Sequence, residues 1–364
     1  MKLKLSIITL TLLLTVLSPV KGDNPMDATD STTVSQPETR KLGLFRRIIR
    51  GFDRIDERYI EPQHYVFTAM LQTSYTYENF QLTGNQQSVS FSPDGNVKVG
   101  PYFGWKWFFL GYTLSLNHPN FSNDRTEVEL SIYSSQIGID LIYRRTGADY
   151  KLRDMKAGGL DTKRLDNVSF DGVKTGITGF NIYYIFNHGR FSYPAAFAQS
   201  TCQKISCGSW LAGFGYMNNS IELDYEKLYE LTNEKLAPQH IQCDSSLMFH
   251  SQKYYNISLS GGYAYNWVPA RDWLLCASGQ LALGYKKNYG NPSIDNGFSF
   301  KDLTPNVIGR FGLVYNNTRW YAGMSAYIYS NSYNKSRFST HHLFGSMNMY
   351  VGYNFGLKKK YRNK

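Results

Sequence analysis

Tyr255-Asn256-Ile257-Ser258-Leu259-Ser260-Gly261-Gly262-Tyr263-Ala264-Tyr265-Asn266-Trp267 is the stretch that decides the fold. Tyr255, Ile257, Leu259, Tyr263, Tyr265 and Trp267 share one parity; Asn256, Ser258, Ser260, Gly262 and Asn266 share the other. A period of two belongs to a β-strand, whose successive side chains point to opposite faces. One row is greasy with aromatic ends, and the other is small and polar. The next stretch repeats the pattern, with Leu275, Leu281 and Leu283 against Ser278, Gln280 and Gly284.

Working outward, the same signal returns along the chain. Phe67, Ala69, Leu71, Tyr75 and Tyr77 alternate with Thr68, Gln72, Ser74, Thr76 and Glu78. In Trp107 to Asn117, Phe108, Leu110, Tyr112, Leu114 and Leu116 alternate with Gly111, Thr113, Ser115 and Asn117. Near the end, Met347, Met349, Val351, Tyr353 and Phe355 alternate with Ser346, Asn348, Gly352 and Asn354. A soluble barrel or sandwich shows this alternation with its greasy row turned inward. Strands near ten residues, aromatic ends on the greasy row and a small polar second row favour lipid outside. Composition agrees: charged residues are 18%, with 29 Tyr and 31 Gly, and mean hydropathy is -0.39. A soluble domain has about a quarter of its residues charged.

The expected strands are 65–81, 95–104, 107–117, 127–143, 148–155, 173–187, 208–220, 252–266, 272–287, 305–316, 319–331 and 339–356. This is an all-β, antiparallel up-and-down transmembrane β-barrel of about twelve strands, with both termini periplasmic and a short N-terminal amphipathic helix. Short turns are expected at Lys106-Trp107, Lys204 to Trp210, Arg271 to Trp273 and Arg319-Trp320, with longer polar segments at the other end. Residues 188–207 belong at the periplasmic end or inside the lumen; a hairpin there would change the strand count. In 127–143 the greasy parity switches between Ile132 and Ile137, for which a β-bulge near Ser134 to Gln136 is the expected device.

The flanks differ in kind. Residues 1–22 read as a cleaved export signal: Lys2 and Lys4, an apolar run Leu5 to Leu17, and small residues at Val20 and Gly22. Residues 23–40 are a polar, disordered linker. In 41–60, Leu44, Phe45, Ile48, Ile49, Phe52 and Ile55 recur at helical spacing among arginines, giving a basic amphipathic helix on the periplasmic side. The barrel fills 65–357, and 358–364 is a basic periplasmic tail. The net charge of +11 is concentrated in these end segments. That placement argues for anionic lipid or periplasmic polymer as partner and against nucleic acid.

Phe52-Asp53-Arg54-Ile55-Asp56-Glu57-Arg58-Tyr59-Ile60-Glu61-Pro62-Gln63 followed by Met70-Leu71-Gln72, then Asn181 to Asn187, Phe191 to Phe197 and Gly261 to Asn266, resemble the signatures of an uncharacterised Bacteroides-group outer-membrane family, domain of unknown function family 4421. The resemblance runs from about Arg50 to Leu357. It implies an exported barrel of the outer membrane and no activity, because the family has none assigned.

Chemistry-bearing residues are few. Ser339 with His341 or His342 could form a nucleophile and base at the outer end of the last strand, although adjacent strand residues face opposite ways; the plainer reading is two histidines at a loop edge. Glu78, Glu129, Asp140 and Arg310 fall on polar-facing positions and would line the lumen, either as a solute path or as a mutually paired filling; the facing of Asp140 depends on the bulge. Cys202 and Cys207 are the candidate disulfide. His188, His240 and His250 lack metal-ligand spacing, and neither metal nor cofactor is expected. The expected partners are outer-membrane lipid, the barrel assembly machinery during insertion, and a small solute or lipid. The leading function is passage or binding of a small solute, lipid or glycan; the alternatives are a membrane-embedded lipid-modifying enzyme and a non-catalytic envelope scaffold.

Overall fold

The computed structural model describes residues 55–84, 87–105, 108–111, 114–116, 126–146, 149–159, 161–237, 251–289, 303–334 and 339–362. The expected signal, linker and most of the expected helix lie outside these residues. Where the helix should end, Tyr59 and Ile60 amides donate to the Asp56 carbonyl in a turn. Arg58 holds the Asp56 carboxyl down to about 2.

In chain order the strands are β1 (Ile60–Pro62), β2 (Tyr65–Thr83), β3 (Gln87–Pro93), β4 (Asn96–Trp105), β5 (Phe108–Gly111), β6 (Leu114–Ser115), β7 (Thr126–Tyr133), β8 (Ile137–Thr146) and β9 (Tyr150–Ala157). They continue with β10 (Val168–Ser169), β11 (Val173–Ile185), β12 (Thr201–Gln203), β13 (Cys207–Leu223), β14 (Ser251–Trp267), β15 (Trp273–Asn288), β16 (Leu303–Asn316), β17 (Trp320–Asn334) and β18 (Ser339–Leu357). Among the described residues the α-helices are α1 (Tyr193–Phe197), α2 (Tyr225–Leu236) and α3 (Lys359–Arg362).

The wall is one antiparallel sheet. It runs from β7 through β8, β11, β13, β14, β15, β16, β17 and β18 to β2, and then to β4, which pairs with β5 and β6. Lys98 on β4 reaches Glu127 on β7 at 2.9 Å, so the sheet is curled until strands near its two ends face each other. The last strand pairs with the first along most of its length, from Ser339↔Thr83 to Leu357↔Tyr65. Counting β5 and β6 as one interrupted strand, the wall has twelve strands among the described residues.

The faces are those of a barrel in lipid. Leu259, Leu281, Leu283, Trp210, Trp267 and Trp320 stand exposed on the outside, while Asn181, Asn256, Gln280, Asn306, Arg310 and Ser346 are buried inside. A water-soluble sheet would reverse this. Aromatic pairs gather near the short-turn end, with Trp210–Tyr263 centroids 5.1 Å apart and Trp320–Tyr353 4.5 Å apart. That is where an interfacial girdle belongs.

Two strand assignments change, and they compensate in the count. The expected fourth strand is a hairpin: Ser134 and Ile137 exchange hydrogen bonds, and the register pairs Ile132↔Ile139, Leu130↔Leu141 and Val128↔Tyr143. Pairing even with odd positions keeps both greasy rows outward, so the parity switch reports a turn and not a bulge. The expected fifth strand, now β9, has left the wall. It pairs with β3 and β10, and β3 pairs with the far end of β2, so these strands rise beyond the barrel. Of the expected short turns, the one at Arg271 to Trp273 is present, with positive φ at Asp272, and the one before Arg319-Trp320 has positive φ at Thr318; Lys106-Trp107 lies outside the described residues. The one at Lys204 to Trp210 is not a turn, because β13 already begins at Cys207.

Both ends of the bore are filled. At the long-loop end Phe80, Phe91, Leu152, Met155, Ile221 and Leu228 build an apolar core under α2. Lys151 and Arg153 pair with Asp94 on this extension and hold its carboxyl below the usual range. At the short-turn end the chain between β11 and β13 folds inward, carrying α1. Ser192 caps α1 by accepting from the Ala195 amide, and Pro194 suits its first turn. The tail docks outside this end, with Lys358 Nζ donating to the Gln63 carbonyl at 2.6 Å.

If the greasy row meets hydrocarbon, Leu281→Arg should lower the unfolding free energy in lipid vesicles by about 2–4 kcal/mol, because Leu281 is mid-strand and 70% exposed. Denaturant titration checks this, and an unchanged midpoint would refute the outward assignment.

Candidate functional site

Inward parity on each wall strand decides which polar side chains enter the bore, and at mid-height ionisable residues from opposite walls meet. Arg310 on β16 donates through Nη2 to the Asp140 carboxylate on β8. That carboxylate also accepts from Ser131 Oγ at 2.7 Å and the Tyr329 hydroxyl at 3.1 Å. The guanidinium lies over the Tyr183 ring, 4.7 Å from its centroid. Beside it Arg144 Nε donates to Glu129 at 2.6 Å, and the Tyr327 hydroxyl donates to the other oxygen of Glu129. Arg144 Nη2 continues across the bore to the Gly345 carbonyl at 3.3 Å. These links form a belt from wall to wall.

Closer to the long-loop end, His342 Nε2 donates to Glu78 at 2.8 Å, and Tyr150 and Thr175 hydroxyls donate to the same oxygen at 2.7 and 3.0 Å. Lys286 is buried and donates to Asn331 Oδ1 at 2.5 Å, Asn306 Oδ1 at 3.3 Å and the Ser332 carbonyl. Buried charges need such partners, since an unpaired ion away from water is costly.

Below the belt the inward segment supplies a floor. Tyr193 hydrogen bonds with Ser278 at 2.5 Å and stacks on Tyr133 and Phe197. Asn266 Nδ2 donates to the Ser192 carbonyl at 2.9 Å, and Gln199 Nε2 donates to the Tyr350 hydroxyl at 2.6 Å. Between floor and belt, against β2, β4 and β7, lies a chamber of about 340 Å³, lined among others by Gln72, Lys98, Tyr102, Glu127, Tyr327 and Asn348. That volume lies in the range of small-molecule sites.

Glu78, Glu129, Asp140 and Arg310 all stand on the inner face and are bound to partners. The structure brings Asp140 to Arg310 and separates both from Glu78. Ser339, His341 and His342 do not come together. His341 bonds Ser332 Oγ at 2.9 Å on one face of β18, while His342 is buried on the other face with Glu78. Ser339 shares the parity of His341, away from the only buried carboxylate that His342 contacts among the described residues. The expected disulfide is absent: Cys202 and Cys207 are free. Their thiols point to different acceptors, the Asn316 carbonyl and the Arg190 carbonyl, and burial pushes the Cys202 thiol up to about 12. His188 contacts Gln136 at 2.9 Å; His240 and His250 lie outside the described residues. Among the described residues no group of His, Cys, Asp and Glu could hold a metal.

Sequence reasoning missed Arg144, Lys98, Glu127 and Lys286. Each obeys the same inward parity as its neighbours, and the signal for Arg144 was available once 134–136 is read as a turn.

The model of a family described as a domain of unknown function (DUF4421) matches residues 54–355. No curated protein matches the chain. Among solved structures, the outer membrane protease OmpT from Escherichia coli is similar over 81% of this chain and 98% of its own, at 8% identity and a TM-score of 0.35. The translocator domain of autotransporter NalP from Neisseria meningitidis is similar over 85% and 93%, at 11% identity and a TM-score of 0.30.

Arg310→Met leaves Asp140 charged and unpaired in the bore, and about 3–5 kcal/mol of stability should be lost. Adding Asp140→Asn should recover most of it. A double-mutant cycle by denaturant unfolding in detergent measures the coupling, and simple additivity would show that the pair is not coupled.

Proposed function

We propose that this chain, which belongs to the family described as a domain of unknown function (DUF4421), is an outer-membrane barrel closed to free diffusion that holds a small polar solute in its internal chamber. The observation that carries this reading is the belt of Arg310–Asp140 and Arg144–Glu129 above a floor built by α1. An open pore needs a continuous aqueous path, whereas here side chains cross the bore and an inserted helix fills its short-turn end. The chamber that remains is walled by hydrogen-bonding groups, which suits retention of a solute better than its flow.

The outer-membrane address rests on the greasy exterior, on a curled sheet of the kind that satisfies its backbone in lipid as a barrel, and on the export pattern of residues 1–22. On this reading the short-turn end and the basic tail face the periplasm. The lipid-modifying alternative gains no support from His342, which faces Glu78 on the side of β18 opposite Ser339 and His341, or from His341, which is bonded to Ser332.

Reconstituted in a planar bilayer, the wild-type protein should show no steady single-channel conductance. Native mass spectrometry of protein extracted from its own membranes should show a retained small molecule. Steady conductance from correctly folded protein would overturn the closed-barrel reading.

A further inference from the structure

We infer that the chamber takes a neutral saccharide of one or two rings; this rests on the reading of the lumen as a closed, solute-holding space. The argument starts from charge. Lys98 is paired with Glu127, Arg144 with Glu129 and Arg310 with Asp140. Every one of these ions already has its counter-ion, so among the described residues the chamber wall carries no surplus of either sign. A charged solute would bring an unmatched charge into a space where water screens it poorly, which is unfavourable unless an existing pair is broken for it. Charge balance therefore selects against phosphate, carboxylate and amine ligands.

What the wall offers is neutral. Gln72 and Asn348 contribute side-chain amides to the chamber, already joined to each other at 3.2 Å. Ser74, Ser131 and Ser346 add hydroxyls to the lining. Tyr102, from the β4 wall, and Phe197, from α1, whose ring also stacks on Tyr133 and Tyr193, add aromatic side chains to the lining. Hydroxyls that both donate and accept, on a ring with an apolar C–H face, complement amides, hydroxyls and aromatic rings together. Apolar solutes would meet none of the donors and acceptors these groups have to spare. One further atom points the same way. Arg310 lines the chamber at 5% exposure, and its Nη1 has no acceptor among the described residues. A saccharide hydroxyl oxygen would be an acceptor for it, and a neutral one leaves the Asp140 pair intact.

The test is isothermal titration of the full-length protein in detergent with glucose and maltose, alongside glucosamine and glucose 6-phosphate. Binding of a neutral sugar is expected, with the two charged analogues at least about tenfold weaker. Asn348→Ala and Tyr102→Ala should each weaken it about tenfold, and the outward-facing Leu283→Ala should leave it unchanged. Heat-modifiable migration on gels confirms that each variant is folded. Folded, non-conducting protein that binds none of the neutral sugars, or prefers a charged analogue, overturns the saccharide assignment and leaves the closed barrel standing. Steady conductance removes the closed barrel itself.

Discussion

Turning apolar side chains toward hydrocarbon hands the opposite face of every strand a harder task, because its polar groups must find partners within a narrow bore. Most of the architecture answers that constraint. Asp140 accepts from Arg310, Ser131 and Tyr329, and Glu78 accepts from His342, Tyr150 and Thr175 on one oxygen. Such networks are stable when their members are satisfied and fragile when one is removed. The interior is thus the part of the barrel where a single substitution has consequences for several strands.

The inward segment between β11 and β13 extends the same logic to the short-turn end. α1 is too short to persist alone; it is held by the ring stack of Tyr133, Tyr193 and Phe197 and by Asn266 and Gln203 bonding its flanking backbone. The long-loop end is closed differently, by an apolar core more like that of a soluble domain. Polar belt, aromatic floor and apolar cap are three solutions to filling one cylinder, each suited to the water available at its depth.

Much of this was legible in the sequence because period-two alternation fixes both strand and facing. Leu259, Leu281 and Val351 announced the outer row, and Arg310 and Glu78 the inner one. The parity switch near Ser134 was visible, but parity alone does not distinguish a bulge from a three-residue turn; the hydrogen-bond partners of Ile137 do. Strand β9 was equally visible as a strand and misplaced as wall, since alternation does not reveal which neighbour a strand pairs with. The link between His342 and Glu78 joins residues far apart along the chain and depends on register. The chamber, too, is a product of which strands face each other, and no local pattern encodes it.

The seam between β2 and β18 joins the first and last wall strands, pairing Thr83 with Ser339 and Tyr65 with Leu357. Contacts of such sequence separation are the slowest to form, since nearly the whole polymer must be gathered before they repay the lost freedom. The cylinder is therefore a late event in folding: until β18 arrives, β2 keeps a free lip at Tyr65–Thr83, an adhesive edge that invites foreign strands. Docking of β18 and protection from aggregation coincide at the same ribbon.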